Sequence, residues 1–342
     1  MRAVLLPGDK QVVVTDRVRP EPGPNEVLVK TKASAICRSD MSIYNGTPIV
    51  GSARTGDDLI VPGHEAAGLV DAVGSEVTSL SIGDRVASYL AVQGQGNRYA
   101  REGWFMLDDG WRCLGFDLDG GDADYFILPE VNCLRLPDEI SFPAGSVLTD
   151  MVGTQYSTQK RLGVGKDDVV VVIGLGPMGS AAILIAKAHG ATVLAVDVLD
   201  ARLEHARSLG ADQIFNSTTV DAVESIRDAT DGLGADYVIE CSGSPQAQNQ
   251  ALDAAARLAT VALVGESPKT EFNPSDQILR KLLTVIGGWY FARPEWDEIT
   301  RFVLEHAIDA EKLISHTFSI EDAAEAFRAF DQRETDKAVF VW

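Results

Sequence analysis

The apolar positions change rhythm partway along the chain. From residue 168 onward, short unbroken runs alternate with helically spaced stretches: Val-Val-Val-Val-Ile at 169–173, an amphipathic 178–189, a second run at 192–196 and a helical 201–209. That alternation predicts strands joined by crossover helices, and therefore a parallel sheet. Strand-like runs recur at 213–215, 237–241, 260–264 and 284–286, bringing the count to the six of a complete doubly wound sheet. The first 150 residues instead carry short β-rich stretches, 11–15, 26–33, 66–73 and 85–90, separated by Gly, Pro and Asp turns, and predict a mostly β unit. After Gly287-Gly288, residues 295–304 and 320–330 read as amphipathic helices and 338–341 as a closing strand. A strand beyond a completed sheet belongs most simply with the first β unit. The expected architecture is α/β, with residues 151–288 inserted into a discontinuous partner made of 1–150 and 289–342, and a cleft between them.

The first strand of the inserted unit runs directly into Gly174-Leu175-Gly176-Pro177-Met178-Gly179, which opens a helix. In a GxGxxG loop the first glycine permits a tight turn, the second lets the backbone approach a pyrophosphate, and the third lets helix and strand pack closely. The helix N-terminus adds N–H donors and positive potential. An isolated GxGxxG also arises as an accidental glycine turn, so its place between strand and helix matters. The next strand ends at Asp197, where a carboxylate can accept hydrogen bonds from the adenosine ribose and would repel a 2'-phosphate. The inserted unit is therefore expected to be a Rossmann domain that prefers NAD to NADP. Arg202 is either a second ribose neighbour or an exposed residue at a helix start. Val264 and Ile286, at the ends of the fifth and sixth expected strands, complete the candidate cofactor-binding residues.

Composition narrows the function classes. The 342 residues suit two domains, and 45% apolar with 23% charged residues is ordinary for a globular chain. Fifty acidic against 30 basic residues leave a net charge of -20, spread along the sequence, which argues against a non-specific nucleic-acid binder. No apolar run approaches the roughly 18 residues of a membrane span, and Pro7-Gly8 interrupts the N-terminus before a signal-length stretch develops. Four cysteines lie far apart with no CxxC pair, against a disulfide framework or a cysteine-rich zinc module. A reducing cytoplasm is the expected compartment, with no membrane or nucleic-acid partner.

Two short segments carry metal-ligand chemistry. Cys37-Arg38-Ser39-Asp40 follows an expected strand, and Gly63-His64-Glu65 precedes another. Thiolate, imidazole and carboxylate are all donors that Zn²⁺ accepts, and a catalytic site uses three protein ligands plus an open position. Each segment alone has another reading, since a lone Cys is often a small buried hydrophobe and a His-Glu pair a polar turn.

Taken together, the segments resemble the zinc-dependent medium-chain dehydrogenase/reductase family of alcohol and polyol dehydrogenases. The similarity spans the chain: Cys37-Arg38-Ser39-Asp40, Pro62-Gly63-His64-Glu65 with Gly68 and Gly74, Gly83-Asp84-Arg85-Val86, Asp119-Gly120-Gly121 before Tyr125, and the nucleotide loop. Leu148-Thr149-Asp150-Met151 is similar to the segment that gives bacterial secondary-alcohol dehydrogenases an aspartate ligand. The resemblance implies a GroES-like catalytic domain around the Rossmann insert. It also implies one catalytic Zn²⁺ held by Cys37, His64 and Asp150, with Glu65 able to enter or leave as a fourth ligand. Zn²⁺, thiolate Cys37, neutral His64 and ionised Asp150 sum to zero charge. Zinc lowers the pKa of bound water from about 15.7 to about 7, and an alcohol there is expected to be acidified comparably. Ser39 resembles the hydroxyl that takes the substrate proton, and Arg38 would lie near the pyrophosphate.

Two departures from the family pattern stand out. A histidine often follows the cysteine ligand by five residues to complete a proton relay, and here that position is Ser42. Many members also hold a structural zinc on four cysteines, whereas residues 94–109 contain none, with Gly94, Asn97, Ala100 and Asp108 in their place. One zinc per subunit and no structural zinc are expected. Cys113, Cys133 and Cys241 read as packing residues, and Trp289 and Tyr290 as candidates for the pocket edge. The expected activity is NAD-linked interconversion of a secondary alcohol and its ketone, a sugar, polyol or cyclitol ahead of a simple aliphatic alcohol, in a homodimer or tetramer. Its rivals are a zinc-free quinone or enoyl reductase of the same fold, and a dinucleotide-binding protein without turnover.

Overall fold

The unbroken Val169–Ile173 run is buried on both faces, as a central parallel strand must be, with Val170, Val171 and Val172 at 0% exposure in this computed structural model. The structure describes residues 1–48 and 58–342. Strands are numbered along the chain: β1 Arg2–Gly8, β2 Gln11–Asp16, β3 Glu26–Ala35, β4 Glu65–Val73, β5 Arg85–Ser88, β6 Ala91–Val92, β7 Arg112–Cys113, β8 Tyr125–Pro129, β9 Cys133–Arg135, β10 Val169–Ile173, β11 Thr192–Asp197, β12 Gln213–Asn216, β13 Ala235–Glu240, β14 Ala255–Leu263, β15 Thr284–Gly287, β16 His316–Phe318 and β17 Ala338–Val341. Contacts divide the chain into one unit of Met1–Asp150 with Ala292–Trp342 and another of Met151–Phe291.

In the second unit the sheet order is β12-β11-β10-β13-β14-β15, every pairing parallel. This is the doubly wound order 3-2-1-4-5-6, whose switch point lies between β10 and β13. Residues from β10, β11, β13 and β14 form its core with Ala222 and Ile226 of one helix and Ala247, Ala251 and Leu252 of another. Those two helices, Ala222–Asp228 and Pro245–Ala254, carried no expectation from the sequence.

The first unit is built on a sheet of order β16-β17-β3-β4-β5-β9, with β8 also paired to β3. It is antiparallel except where β16 meets β17. The closing strand does return to the first β unit: Val339 pairs with Ala35, Phe340 with Ser34 and Val341 with Ala33. Phe340 is fully buried and shares a core with Phe327, Phe330, Tyr44 and Ile36. At about 2–3 kcal/mol per buried large apolar side chain, that cluster is a strong latch for the discontinuous segment.

Two registers position the chemistry. Ala35 of β3 lies opposite Glu65 of β4, and Ala35 also lies opposite Val339 of β17. Extending both pairings past the strand ends brings Cys37, His64-Glu65 and Lys337 to one end of the sheet.

Candidate metal centre and nucleotide loop

Ligand-capable atoms of Cys37, His64, Glu65 and Asp150 all lie within 4.8 Å of one another. Cys37 sits in the turn after β3, where its N–H donates to Asp40 Oδ2 at 2.8 Å. Asp150 comes from Leu148–Val152, a single π-helical turn, a local irregularity that recurs at functional sites because it re-aims side chains. Asp150 Oδ2 is 3.6 Å from Cys37 Sγ and 3.7 Å from His64 Nε2, and His64 Nε2 is 3.9 Å from Glu65 Oε1. Donors bound to zinc at about 2.0–2.3 Å on a tetrahedron stand roughly 3.3–3.6 Å apart, so small adjustments would bring this set onto one ion. Ser39 Oγ lies 3.5 Å from His64 Nε2.

The electrostatics of the cluster match a divalent cation. Burial pushes the Cys37 thiol up, and the Asp150 and Glu65 carboxylates push it further. Burial also lifts Glu65, to about 7, against the opposing pull of Lys337. His64 is drawn down by burial, but Asp40 and Asp150 outweigh that and hold it well above the usual imidazole range. Against the upward push of desolvation, His64 and Lys337 keep the partly buried Asp150 below the ordinary carboxylate value. Three acids crowded into a largely buried site compete for positive charge, and a 2+ ion would supply it. Glu65 Oε2 is buried and has no hydrogen-bond partner.

Behind the donors, Asp40 Oδ1 faces His64 Nδ1 at 3.3 Å, with Asp40 and His64 0% and 3% exposed. A carboxylate at Nδ1 orients the ring so that Nε2 would be the atom available to a metal and would be more basic. Asp122, fully buried and accepting from Ser34 Oγ at 2.6 Å, is pushed up to about 7 by burial and by Asp40. Two of these supporting groups, Asp122 and Lys337, carried no assignment from sequence. Lys337 reads as a charged flank of an apolar strand and Asp122 as an aspartate in a Gly-rich turn.

The nucleotide loop is formed as its glycines require. Gly174 has φ +86°, and a Cβ there would lie 2.6 Å from Ser242 Cβ, while a Cβ on Gly179 would lie 2.0 Å from the Gly174 carbonyl oxygen. Gly176 differs: a Cβ there would meet nothing nearer than the Arg202 guanidinium at 3.7 Å. That leaves a cradle beside the N-terminus of helix Pro177–Ala188, with Pro177 in its first turn and Met178 following. Asp197 Oδ2 accepts from Leu175 N–H at 2.6 Å and Oδ1 from Val198 and Leu199 N–H at 2.7 and 3.0 Å. Arg202 stands 4.0 Å from the same carboxylate. Val264 N–H donates to the Glu240 carbonyl, and Ile286 lies within β15. Arg38 occupies the turn beside Cys37, and its carbonyl accepts from Met41 N–H. Trp289 is half exposed, whereas Tyr290 is buried against Phe291, so only the first could present its ring to a ligand without rearrangement.

Residues 94–109 are organised by a carboxylate. Asp108 accepts from the N–H groups of Gly94, Gly96 and Asn97 at 2.8–2.9 Å, and Asn97 Oδ1 caps the short helix Arg98–Arg101. These bonds hold Asp108 below the usual carboxylate range in spite of burial.

Comparison with known proteins identifies the family. Residues 23–138 match the alcohol dehydrogenase GroES-like domain, and residues 177–305 match the zinc-binding dehydrogenase family. An uncharacterized zinc-type alcohol dehydrogenase-like protein of Escherichia coli is 32% identical over 99% of this chain and 98% of its own length. The chain belongs to the zinc-dependent alcohol dehydrogenase family. A sorbitol dehydrogenase of Halalkalibacterium halodurans is 30% identical, covering 98% of this chain and 96% of that protein. The alcohol dehydrogenase TADH from Thermus sp. ATN1 superposes with a TM-score of 0.92 at 29% identity, over 100% of this chain and 99% of that one. As a family member the protein is an oxidoreductase with GroES-like and Rossmann folds. No helix among the described residues is long and apolar enough to cross a membrane.

Proposed function

We propose that the protein oxidises a secondary alcohol to a ketone, reversibly, using one zinc ion and NAD. The observation that carries this is the convergence of Cys37, His64, Glu65 and Asp150 within 4.8 Å. Cys37, His64 and Asp150 hold the metal, Asp40 orients the imidazole, and Glu65 is the exchangeable donor. Zinc, when bound, supplies Lewis acidity that lowers the pKa of an alcohol hydroxyl, and the dinucleotide supplies the hydride acceptor. Ser39 Oγ, beside His64, receives the proton of the substrate hydroxyl. With Ser42 where a relay histidine is frequent, Ser39 passes that proton to solvent or to the cofactor ribose.

NAD rather than NADP is supported by Asp197, whose buried carboxylate would meet a 2'-phosphate with like charge. One zinc per subunit is supported by Asp108, which gathers the loop that a metal organises in other members. A polyol or sugar substrate is supported by the relative named sorbitol dehydrogenase. Self-association as a dimer or tetramer is supported by β15, an edge strand that exposes Val285 and is preceded by exposed Leu279 and Leu282. The four free cysteines suit the cytoplasm.

The test is metal analysis joined to a panel of polyols, sugars, cyclitols and simple secondary alcohols, assayed for NADH formation with and without chelator. About one equivalent of zinc and chelator-sensitive turnover are expected. Zinc below about half an equivalent with chelator-indifferent turnover would instead place the chain with the quinone and enoyl reductases. Metal without any alcohol-dependent reduction would leave a binding protein.

A further inference from the structure

Lys337 is 2% exposed, immediately precedes β17, and lies 272 residues from its partner, the fully buried Glu65. Its Nζ is 2.5 Å from Glu65 Oε1, and it shares the electrostatic neighbourhood of Cys37 and Asp150. An ammonium removed from water costs several kcal/mol unless it is paired, so a lysine here has to serve the cluster rather than solubility.

We infer that Lys337 is a positioning residue that gives Glu65 a second resting place, allowing Glu65 to leave the metal without becoming an unpaired buried carboxylate. The inference rests on the metal reading proposed above. With Cys37, Glu65 and Asp150 ionised, the donors carry three negative charges. A divalent ion and Lys337 together neutralise them. When a substrate oxygen takes the fourth position, Glu65 must go elsewhere, and its Oε2 has no hydrogen-bond partner of its own. Among the described residues, the cation within hydrogen-bonding distance of its other oxygen is Lys337, while His64 Nε2 stands farther off at 3.9 Å. The two registers that converge on Ala35 put this ammonium at the end of β17 next to Cys37 and Glu65, so its location is fixed by the sheet and not by a flexible loop.

Removing the charge leaves Glu65 with the metal as its only cationic partner, and an incoming ligand then has to strand a buried anion. The test uses the full-length protein substituted with Co²⁺, whose visible spectrum reports donor number and type, titrated with imidazole as a competing fourth ligand. In Lys337→Met the imidazole dissociation constant should rise at least about tenfold, equivalent to about 1.4 kcal/mol. Lys337→Arg should stay within about threefold of the parent. In a Glu65→Ala background the Lys337→Met change should have little effect, because no carboxylate remains to compete. If Lys337→Met fails to fold, Lys337→Gln keeps a hydrogen bond to Glu65 without the charge and should shift the titration the same way. An imidazole constant unchanged in a folded, cobalt-loaded neutral variant overturns the role of Lys337 and leaves the metal site standing. A parent protein that takes up no Co²⁺ at these residues overturns both.

Discussion

Replacing Asp197 by Ser should exchange cofactor preference at a foreseeable cost. The carboxylate is 4% exposed and accepts three backbone N–H bonds, from Leu175, Val198 and Leu199, before any cofactor arrives. Serine can keep one acceptor in place, so two donors lose their partner at about 1 kcal/mol each, and thermal stability should fall by a few degrees. On NAD, loss of a charge-assisted hydrogen bond to the ribose costs about 1.5–3 kcal/mol, or roughly ten- to a hundredfold in kcat/KM. On NADP the sign reverses. Two like charges about 4 Å apart repel by about 4 kcal/mol at an effective dielectric of 20, and even half of that, after screening, is worth roughly thirtyfold. Arg202, 4.0 Å from the carboxylate, would meet a phosphate there with opposite charge. The ratio of kcat/KM for NAD over NADP, measured with one alcohol at fixed ionic strength, should therefore move by about 10³. A ratio that shifts by less than about threefold in a protein of normal stability would refute a ribose role for Asp197.

Asp122→Asn should flatten the pH dependence of stability in the chelator-treated protein. The native group is raised to about 7 from 3.8, so the folded state holds its proton while the unfolded state has lost it, and stability declines as pH rises from about 4 to 7. The amide removes that decline, worth up to about 4 kcal/mol by linkage, and denaturant midpoints across the range should diverge most at the alkaline end. Asp108→Ala should loosen residues 94–109 by unpairing the amides of Gly94, Gly96 and Asn97, visible as faster hydrogen exchange at those three sites with the nucleotide unit unaffected. Ser39→Ala should lower kcat for alcohol oxidation by roughly a hundredfold with unchanged metal content, and most steeply at low pH, where proton removal is hardest.

The Rossmann half was legible because its signals are local. A buried parallel strand is a continuous apolar run, and five of the six runs overlap the observed strands closely, from 169–173 for β10 to 284–286 for β15. The fifth, expected at 260–264, begins earlier, at Ala255, because the chain passes directly from helix Pro245–Ala254 into β14 with no loop to mark the change. The closing strand at 338–341 was also legible, since Ala338–Val341 is an apolar run that follows the polar Asp336-Lys337. What it carries with it was not. A lysine one residue before an apolar strand looks like an ordinary surface flank, and only the pairing of β17 with β3, and of β3 with β4, turns it inward.

The same limit explains Asp122 and Asp108. Each is an aspartate among turn residues, where an exposed side chain is the ordinary outcome; Asp122 is buried against Ser34, far away in sequence, whereas Asp108 is enclosed by the amides of its own loop, at Gly94, Gly96 and Asn97. Cys37, His64, Glu65 and Asp150 could be named from family resemblance, but their resemblance says nothing of how three acids remain together in a largely buried site. The structure answers with groups of opposite sign and fixed orientation: Lys337 against Glu65, and His64 between Asp40 and Asp150. Such a cluster is costly to bury without its cations, since removing one partner of a buried pair typically costs 3–5 kcal/mol. It follows that zinc should contribute to the stability of the catalytic unit as well as to its chemistry. A chelator should thus lower the melting temperature of the native protein, and restoring zinc at about a thousandfold above its dissociation constant should return about 4 kcal/mol.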